Sequence, residues 1–420
     1  MTSLIHLITV QLHHKIMSNS NYSEKSEVGQ VFKVLDSLSE SAQARQTDVS
    51  LSQSEQPLLA ISSLGRFGRF GNQLFQYAFL KICAKQSGAM VECPAWIGQT
   101  LFGCSDPEIV HRLTPAIESQ SNQESFFDLL PEFVPYIEKL ANQSSCKIGA
   151  DALKTGAQNV DLWGFFQFHT RFYLPHKEYF QSLFLPVDAL KIVLDNGLNF
   201  LKSQGKTLVA IHLRQGDFVK LPLAGFTLIT PARWWRDWLR TIWHKLDDPV
   251  LFICSDELEK VLPEFSEFKP ITWKDLPIEL PEQMKNQKIE FYIDFFVLSN
   301  CNVLGISNSI FSFSAAMLNN QSKLFIRPHW DFSTKFTTFD PWNSEPLLYF
   351  GSPQPKFSKN LIDALKTTLA TQGFWAMLKC LFIYIPQSLL RKWSVRMYLK
   401  YQVQGLIGMW KVFSSLKISS

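Results

Sequence analysis

Ala210–Phe218 reads AIHLRQGDF, which sets His212 and Arg214 two residues apart. On a strand that spacing sends both side chains off the same face. Gln215, Gly216 and Asp217 then make a turn. An arginine at a strand end can grip a phosphate through two parallel hydrogen bonds and stays charged at any physiological pH. Its other use is a structural pair with Asp217 that ties the turn down. Phe252–Glu257, FICSDE, brings Ser255 and Asp256 to the end of a second apolar run. A carboxylate there can accept hydrogen bonds from a ribose or a purine, and Ser or Asp in that position also caps helices. Gly305–Met317, GISNSIFSFSAAM, passes through a Ser-Asn-Ser turn into a run of small residues. The N–H groups of a helix start, with the Ser309 hydroxyl, form a cradle for an anion. Ordinary capping is the alternative. Together the three stretches offer a cation, an acid and an anion-binding helix start, the set that a nucleoside diphosphate needs.

A fourth stretch is Leu64–Phe79, LGRFGRFGNQLFQYAF, with glycines at 65, 68 and 71 and arginines at 66 and 69. It places backbone freedom and positive charge just before an apolar run. A phosphate-binding GxxxxGK[ST] loop is absent, and a glycine spacing of three is not the dinucleotide fingerprint.

These residues need strands to carry them. Leu58–Ser62, Ala89–Cys93, Val160–Gln167, Thr207–Leu213, Pro249–Cys254, Asn302–Ile306 and Lys323–Ile326 read as strands. Leu74–Cys83, Phe126–Leu140, Lys177–Phe184, Pro231–Lys245, Ile289–Ser299 and Ile310–Leu318 read as helices. Alternation of this kind makes a parallel, doubly wound α/β sheet, whose ligands bind outside the carboxyl ends of the strands. In the Trp-rich stretch Arg233–Lys245, the spacing of Trp234, Trp235, Trp238 and Trp243 suits a buried helix face better than a sugar-stacking platform.

The chain of 420 residues fits two domains with extensions. Residues 1–56 are polar and read as a disordered leader with a short helix near Val31–Leu38. Residues 57–200 and 201–355 read as the two domains, and 356–420 as a tail. Thirty-five Phe and 12 Trp provide for large cores, and a formal charge of only +4 makes no demand for nucleic acid. Seven Cys without a CxxC pair, and nine His without ligand spacing, argue against a disulfide scaffold or a zinc site and fit reduced thiols in the cytoplasm. Leu4–Leu12 is too short and too interrupted for a signal peptide or a span. Gly373–Ser420 carries seven Lys or Arg and no Asp or Glu, interleaved with aromatics. Such a tail can lie on an anionic membrane surface, as a peripheral contact, or pack as helices on the body or a partner.

GRFGNQLFQYAF resembles the N-terminal signature of the α-1,2-fucosyltransferase family, G-x-x-GNQ-x-FQYA. HLRQGDF is similar to that superfamily's H-x-R-R-x-D motif, and ISNSIFSFSAAML to its third block, preceded by DFFVLSNC (Asp294–Cys301). GRFGNQ is also similar to the protein O-fucosyltransferases. The resemblance spans about residues 60 to 330. It implies a GT-B-like fold, two Rossmann-like doubly wound domains facing across a cleft. It also implies GDP-fucose as donor, a galactose-type glycan as acceptor, an inverting displacement giving an α-1,2 linkage, and no metal.

By the same resemblance Arg214 holds the donor pyrophosphate, and His212 and Asp256 sit near guanine or ribose. Asn308, Ser309 and Phe311 line the phosphate and base pocket. Asn72 reaches across from the first domain, positioned by Gly71 and assisted by Gln73, with the glycine backbone close to the donor. Asp217 is a candidate base or an orienter of Arg214. Gln215 stands where the family commonly has a second Arg. Another GDP-sugar in surface polysaccharide synthesis, and a non-catalytic glycan-binding scaffold at the membrane, are the alternatives. A lipid-linked oligosaccharide as acceptor would place the protein on the inner face of the membrane.

Overall fold

The computed structural model describes residues 56–119, 145–220, 229–328, 336–348 and 361–386. The helices expected at Val31–Leu38 and Phe126–Leu140, the leader and the end of the tail lie outside the described residues.

Two five-stranded sheets organise the chain. The first contains β1 (Leu58–Ala60), β2 (Met90–Glu92), β3 (Thr114–Glu118), β4 (Cys146–Ile148) and β5 (Val160–Trp163), in the order β2-β1-β5-β3-β4. All its pairings are parallel. The second contains β6 (Thr207–Leu213), β7 (Pro249–Ser255), β8 (Val303–Gly305), β9 (Leu324–Pro328) and β10 (Phe336–Thr338), in the order β10-β9-β8-β6-β7. Only β10 runs antiparallel, on the edge. Both are the parallel-dominated α/β sheets that the alternation of strands and helices predicts. Strand order reverses at β6, with β7 on one side and β8 on the other, and a ligand crevice belongs at such a point.

Seven helices matter below. They are α1 (Phe70–Ser87), α2 (Asp188–Ser203), α3 (Ala232–Ile242), α4 (Phe291–Leu298), α5 (Ile310–Leu318), α6 (Leu361–Gln372) and α7 (Phe374–Lys379). Burial of β6 alternates by face, as a strand between two layers must. Leu208 and Ala210 belong to the large core with α1, α2, α4 and α5, while Val209, Ile211 and Leu213 join the core under α3. In α3, Trp235 is fully buried and Trp238 and Trp243 pack against the same core, so this helix is structural. A Cβ on Gly305 would meet the Trp235 ring at 2.6 Å, which fixes how closely α3 lies on β8.

The first helix begins earlier than its apolar run suggests. α1 starts at Phe70 and takes Gly71, Asn72 and Gln73 into its first turn. It is apolar nearly all round, because it is sandwiched rather than laid on a surface. Phe79 stacks on Phe166 at 4.2 Å, and Phe75 meets Tyr173 edge-on. Gly88, at φ +68°, ends the helix in a left-handed cap. The amphipathic α2, with Leu190, Leu194, Leu198 and Leu201 on one buried stripe, is an element that the motif-led reading passed over, as are β3 and β4.

Candidate active site

The end of β6 is held from three directions. The Arg214 backbone N–H donates to Ser307 Oγ at 3.1 Å, and that hydroxyl lies 2.9 Å from His212 Nδ1. The Ser307 hydroxyl thus ties the His212 ring to the backbone at the end of β6. Burial, with Arg214 nearby, pushes the imidazole down to about 3, so it is neutral at physiological pH. His212 therefore acts as a neutral, oriented group.

The Arg214 side chain is largely covered and lies between two carboxylates. Nη2 is 2.5 Å from Asp217 Oδ1, and Nη1 is 2.9 Å from Asp256 Oδ2. A guanidinium carries five N–H groups, so two such bonds orient the fork without exhausting it. Asp256 also accepts from the Gln215 backbone N–H at 2.9 Å. A Cβ on Gly216 would come within 2.6 Å of Asp256 Oδ2, so the turn needs glycine for this contact. The Gln215 amide donates to the Thr230 carbonyl at 3.0 Å and anchors the chain entering α3. Thus the structural pair and the phosphate grip weighed for Arg214 are compatible, because the carboxylates aim the group.

The second oxygen of Asp217 reaches the other half of the molecule, 3.0 Å from Arg69 Nη2. Of the two arginines in the doubled motif, it is Arg69 that joins this site. Both Asp217 oxygens are engaged by guanidinium groups, a geometry suited to positioning them.

The glycine stretch uses its freedom in two ways. Gly65 and Gly68 sit at φ +74° and +76°, in the left-handed region that disfavours side chains. A Cβ on Gly68 would stand 2.5 Å from Asn72 Nδ2, so the loop presses on Asn72. Gly71 was expected to bring backbone to the donor. Its open side instead receives α5, where a Cβ would lie 2.7 Å from the Phe311 nitrogen. Ser314 Oγ donates to the Gly71 carbonyl at 3.4 Å across the same contact. Gly71 still positions Asn72, by letting the starts of α1 and α5 touch.

Asn72 Oδ1 accepts a hydrogen bond from Gln167 Nε2. Gln76 Nε2 donates to the Gly164 carbonyl at 2.9 Å. The amide oxygens of Gln73, Gln76 and Gln167 are buried without partners. Gln76 was visible in the FQYA block. Gln167, 95 residues from Asn72, carried no local signal.

At the start of α5, Ser309 is extended and its side chain does not cap the helix. The first-turn N–H groups of a helix have no partner within it, and here the Phe311 nitrogen lies against Gly71. Phe311 lies 5.4 Å from the His212 ring and 5.3 Å from Phe295, in an aromatic layer that includes Phe70. Asn308 is turned elsewhere. Its amide donates to the Leu348 carbonyl at 2.7 Å and accepts from the Leu348 N–H at 2.8 Å. Asn308 thus clamps the chain after β10.

Asp294, in the quoted DFFVLSNC stretch but given no role, lies in the same layer. It is buried on α4 with Oδ1 unpartnered, and burial pushes its carboxyl up to about 7, against a hydrogen bond with Cys254. Cys254 faces His212 in register across β7 and β6. Among the described residues, no three His, Cys, Asp or Glu side chains gather as a metal site. All seven cysteines are free thiols.

The model of Glycosyl transferase family 11 matches residues 63–340, a span that contains every group described in this crevice. None of the curated proteins matches the chain. Among solved structures, the fucosyltransferase NodZ from Bradyrhizobium is similar over 68% of this chain and 99% of its own, at a TM-score of 0.40 and 13% identity. NodZ α-1,6-fucosyltransferase soaked with GDP-fucose aligns over the same shares at 0.40 and 12%. POFUT1 in complex with GDP aligns over 66% of this chain and 99% of its own, at 0.37 and 11%.

Proposed function

The chain belongs to glycosyl transferase family 11, and from that premise we propose that it moves fucose from GDP-fucose to a hydroxyl of a galactose-type glycan, forming an α-1,2 linkage with inversion. The observation that carries the reading is Arg214, aimed by Asp217 and Asp256 at the end of β6 and joined through Asp217 to Arg69 of the opposite half.

The acceptor oxygen attacks the anomeric carbon, the bond from that carbon to the β-phosphate oxygen breaks, and its electron pair leaves with GDP. The hydroxyl proton passes to a base or to water. Charge grows on the β-phosphate, where Arg214, Arg69 and the first N–H groups of α5 stabilise it, a contribution that can dominate such a step. Two guanidinium groups supply the charge that a metal would otherwise bring, so the reaction is metal-independent in this reading. Asp217 keeps both arginines in place, and neutral His212 is held in the floor by Ser307. Asn72, held by Gln167, offers its remaining amide donors from the first half. Asp256 serves the donor through Arg214.

Calorimetry with GDP, GDP-fucose, GDP-mannose and UDP-galactose tests the donor, alongside Arg214→Ala and a glycan assay with the linkage read by NMR. Binding of GDP and GDP-fucose that the substitution abolishes, with an α-1,2 product, is expected. Turnover with a different GDP-sugar moves the donor assignment. No nucleotide binding at all leaves the glycan-binding scaffold in its place.

A further inference from the structure

Six of the twelve large apolar side chains that stand exposed among the described residues fall within 361–386: Ile362, Leu369, Phe374, Trp375, Phe382 and Ile383. Trp375 is 80% exposed and Phe382 72%. The segment has its own small seam, in which Leu365 of α6 packs on Cys380 and Ile385. α7 continues into a π-helical turn over Cys380–Tyr384. The helices thus bury little between themselves and leave the aromatics to solvent, which soluble surfaces rarely do in one patch.

From Gly373 onward the sequence is one-signed, with seven Lys or Arg and no acid over Gly373–Ser420, while α6 carries one acid, Asp363, and one base, Lys366. Lys379, within α7, is exposed beside the aromatics. Large aromatics with an excess of basic residues suit a bilayer surface, where rings enter the headgroup boundary and cations meet anionic lipid. No helix among the described residues is long and apolar enough to cross a membrane. An anionic lipid plane complements the excess of positive charge over Gly373–Ser420.

The patch is placed with respect to the crevice. β6 and β7 are parallel, so α3 between them runs back along the sheet, and its first turn lies at the crevice end. Arg233, in that turn, donates from Nη2 to the Ala370 carbonyl of α6 at 3.2 Å. Gln215, next to Arg214, bonds the Thr230 carbonyl just before α3. A short path therefore leads from Arg214 through Thr230, Arg233 and Ala370 to Phe374 and Trp375.

We propose that α6, α7 and the turn after them dock on a membrane surface rich in anionic phospholipid, with Phe374, Trp375 and Phe382 as the inserted side chains. Docking there sets the crevice end of the second sheet beside the bilayer. A lipid-linked glycan acceptor follows from that placement; this last step rests on the transferase reading, whereas the membrane contact does not.

Flotation of the full chain with vesicles tests the contact without any turnover. One set is phosphatidylcholine alone and the other contains phosphatidylglycerol. Binding to the anionic vesicles only, weakened at high salt, is expected. A Phe374→Ser, Trp375→Ser, Phe382→Ser variant should lose at least tenfold in vesicle affinity while binding GDP like the parent. The proposal is overturned by no binding to anionic vesicles, by equal binding to both lipids, or by a variant that binds as the parent does. GDP binding, measured separately, reports on the transferase reading, so the two fail independently. A soluble acceptor used as fast as a lipid-linked one would overturn the acceptor step alone.

Discussion

Asp217 holds Arg69 at 3.0 Å and so joins the loop after β1 to the turn after β6. The same carboxylate holds Arg214 at 2.5 Å. One acid thus sets the spacing of two cations contributed by different sheets. Asp217→Asn keeps the shape and removes the charge. It should lower kcat/KM about 100-fold, the cost of a misplaced group near the chemistry, without removing a limb of the pH–rate profile. Loss of the acidic limb would instead make Asp217 the proton acceptor. Arg69→Ala should weaken GDP binding less than Arg214→Ala, because Arg69 is the more exposed of the pair.

Arg214→Lys retains charge but not the fork that two carboxylates orient. A single-point ammonium cannot satisfy Asp217 and Asp256 in the same geometry. A fall in kcat of about 10²–10³, similar to loss of one preorganised donor, is expected. Steady-state kinetics with varied donor gives the answer, and a rate within threefold of the parent would remove the fork from the mechanism.

Gly71→Ala places a methyl group 2.7 Å from the Phe311 nitrogen. Backbone cannot step aside as a side chain does, so the starts of α1 and α5 must part. Overpacking of this kind costs about 1–3 kcal/mol. The melting temperature and the transfer rate should fall together. Gly88→Ala, where a Cβ meets nothing within 4 Å, is the control and carries only the cost of its left-handed backbone.

His212 and Asp294 should give opposite pH dependences of stability. His212 is pushed down to about 3, so the unfolded chain takes up its proton first, and the stability it contributes is lost as pH falls from about 6.5 towards 3. Asp294 is pushed up to about 7, so the folded chain holds the proton longer. Its contribution is lost as pH rises from about 4 through 7. Asp294→Asn mimics the protonated acid. It should raise the melting temperature more at pH 8 than at pH 5, measured without nucleotide. Equal shifts at both values would mean that the carboxyl is not held neutral.

Much of this site could be read from the chain because its parts are local. Thr207–Leu213 and Ile310–Leu318 have the bounds that their patterns dictate, since an apolar run between turn residues leaves few alternatives. Gly71 marks a close approach without naming what approaches, and the partner, the start of α5, comes only from the fold. Asn308 has the chemistry of a ligand residue and spends it on Leu348, a partner that only the fold supplies. Gln167 and the Arg69–Asp217 pair join positions 95 and 148 residues apart, beyond the reach of any spacing rule. α2 is written in the spacing of Leu190, Leu194, Leu198 and Leu201, a purely structural stripe that carries no chemistry. The second-motif Gln215 suggested a change of donor, yet its amide supports the approach to α3.

The backbone-to-backbone contact at Gly71 also works as a gauge. With no room for even a methyl group, it sets the separation of the starts of α1 and α5. Arg69 and Asn72 on one side and Phe311 on the other take their spacing from that single distance.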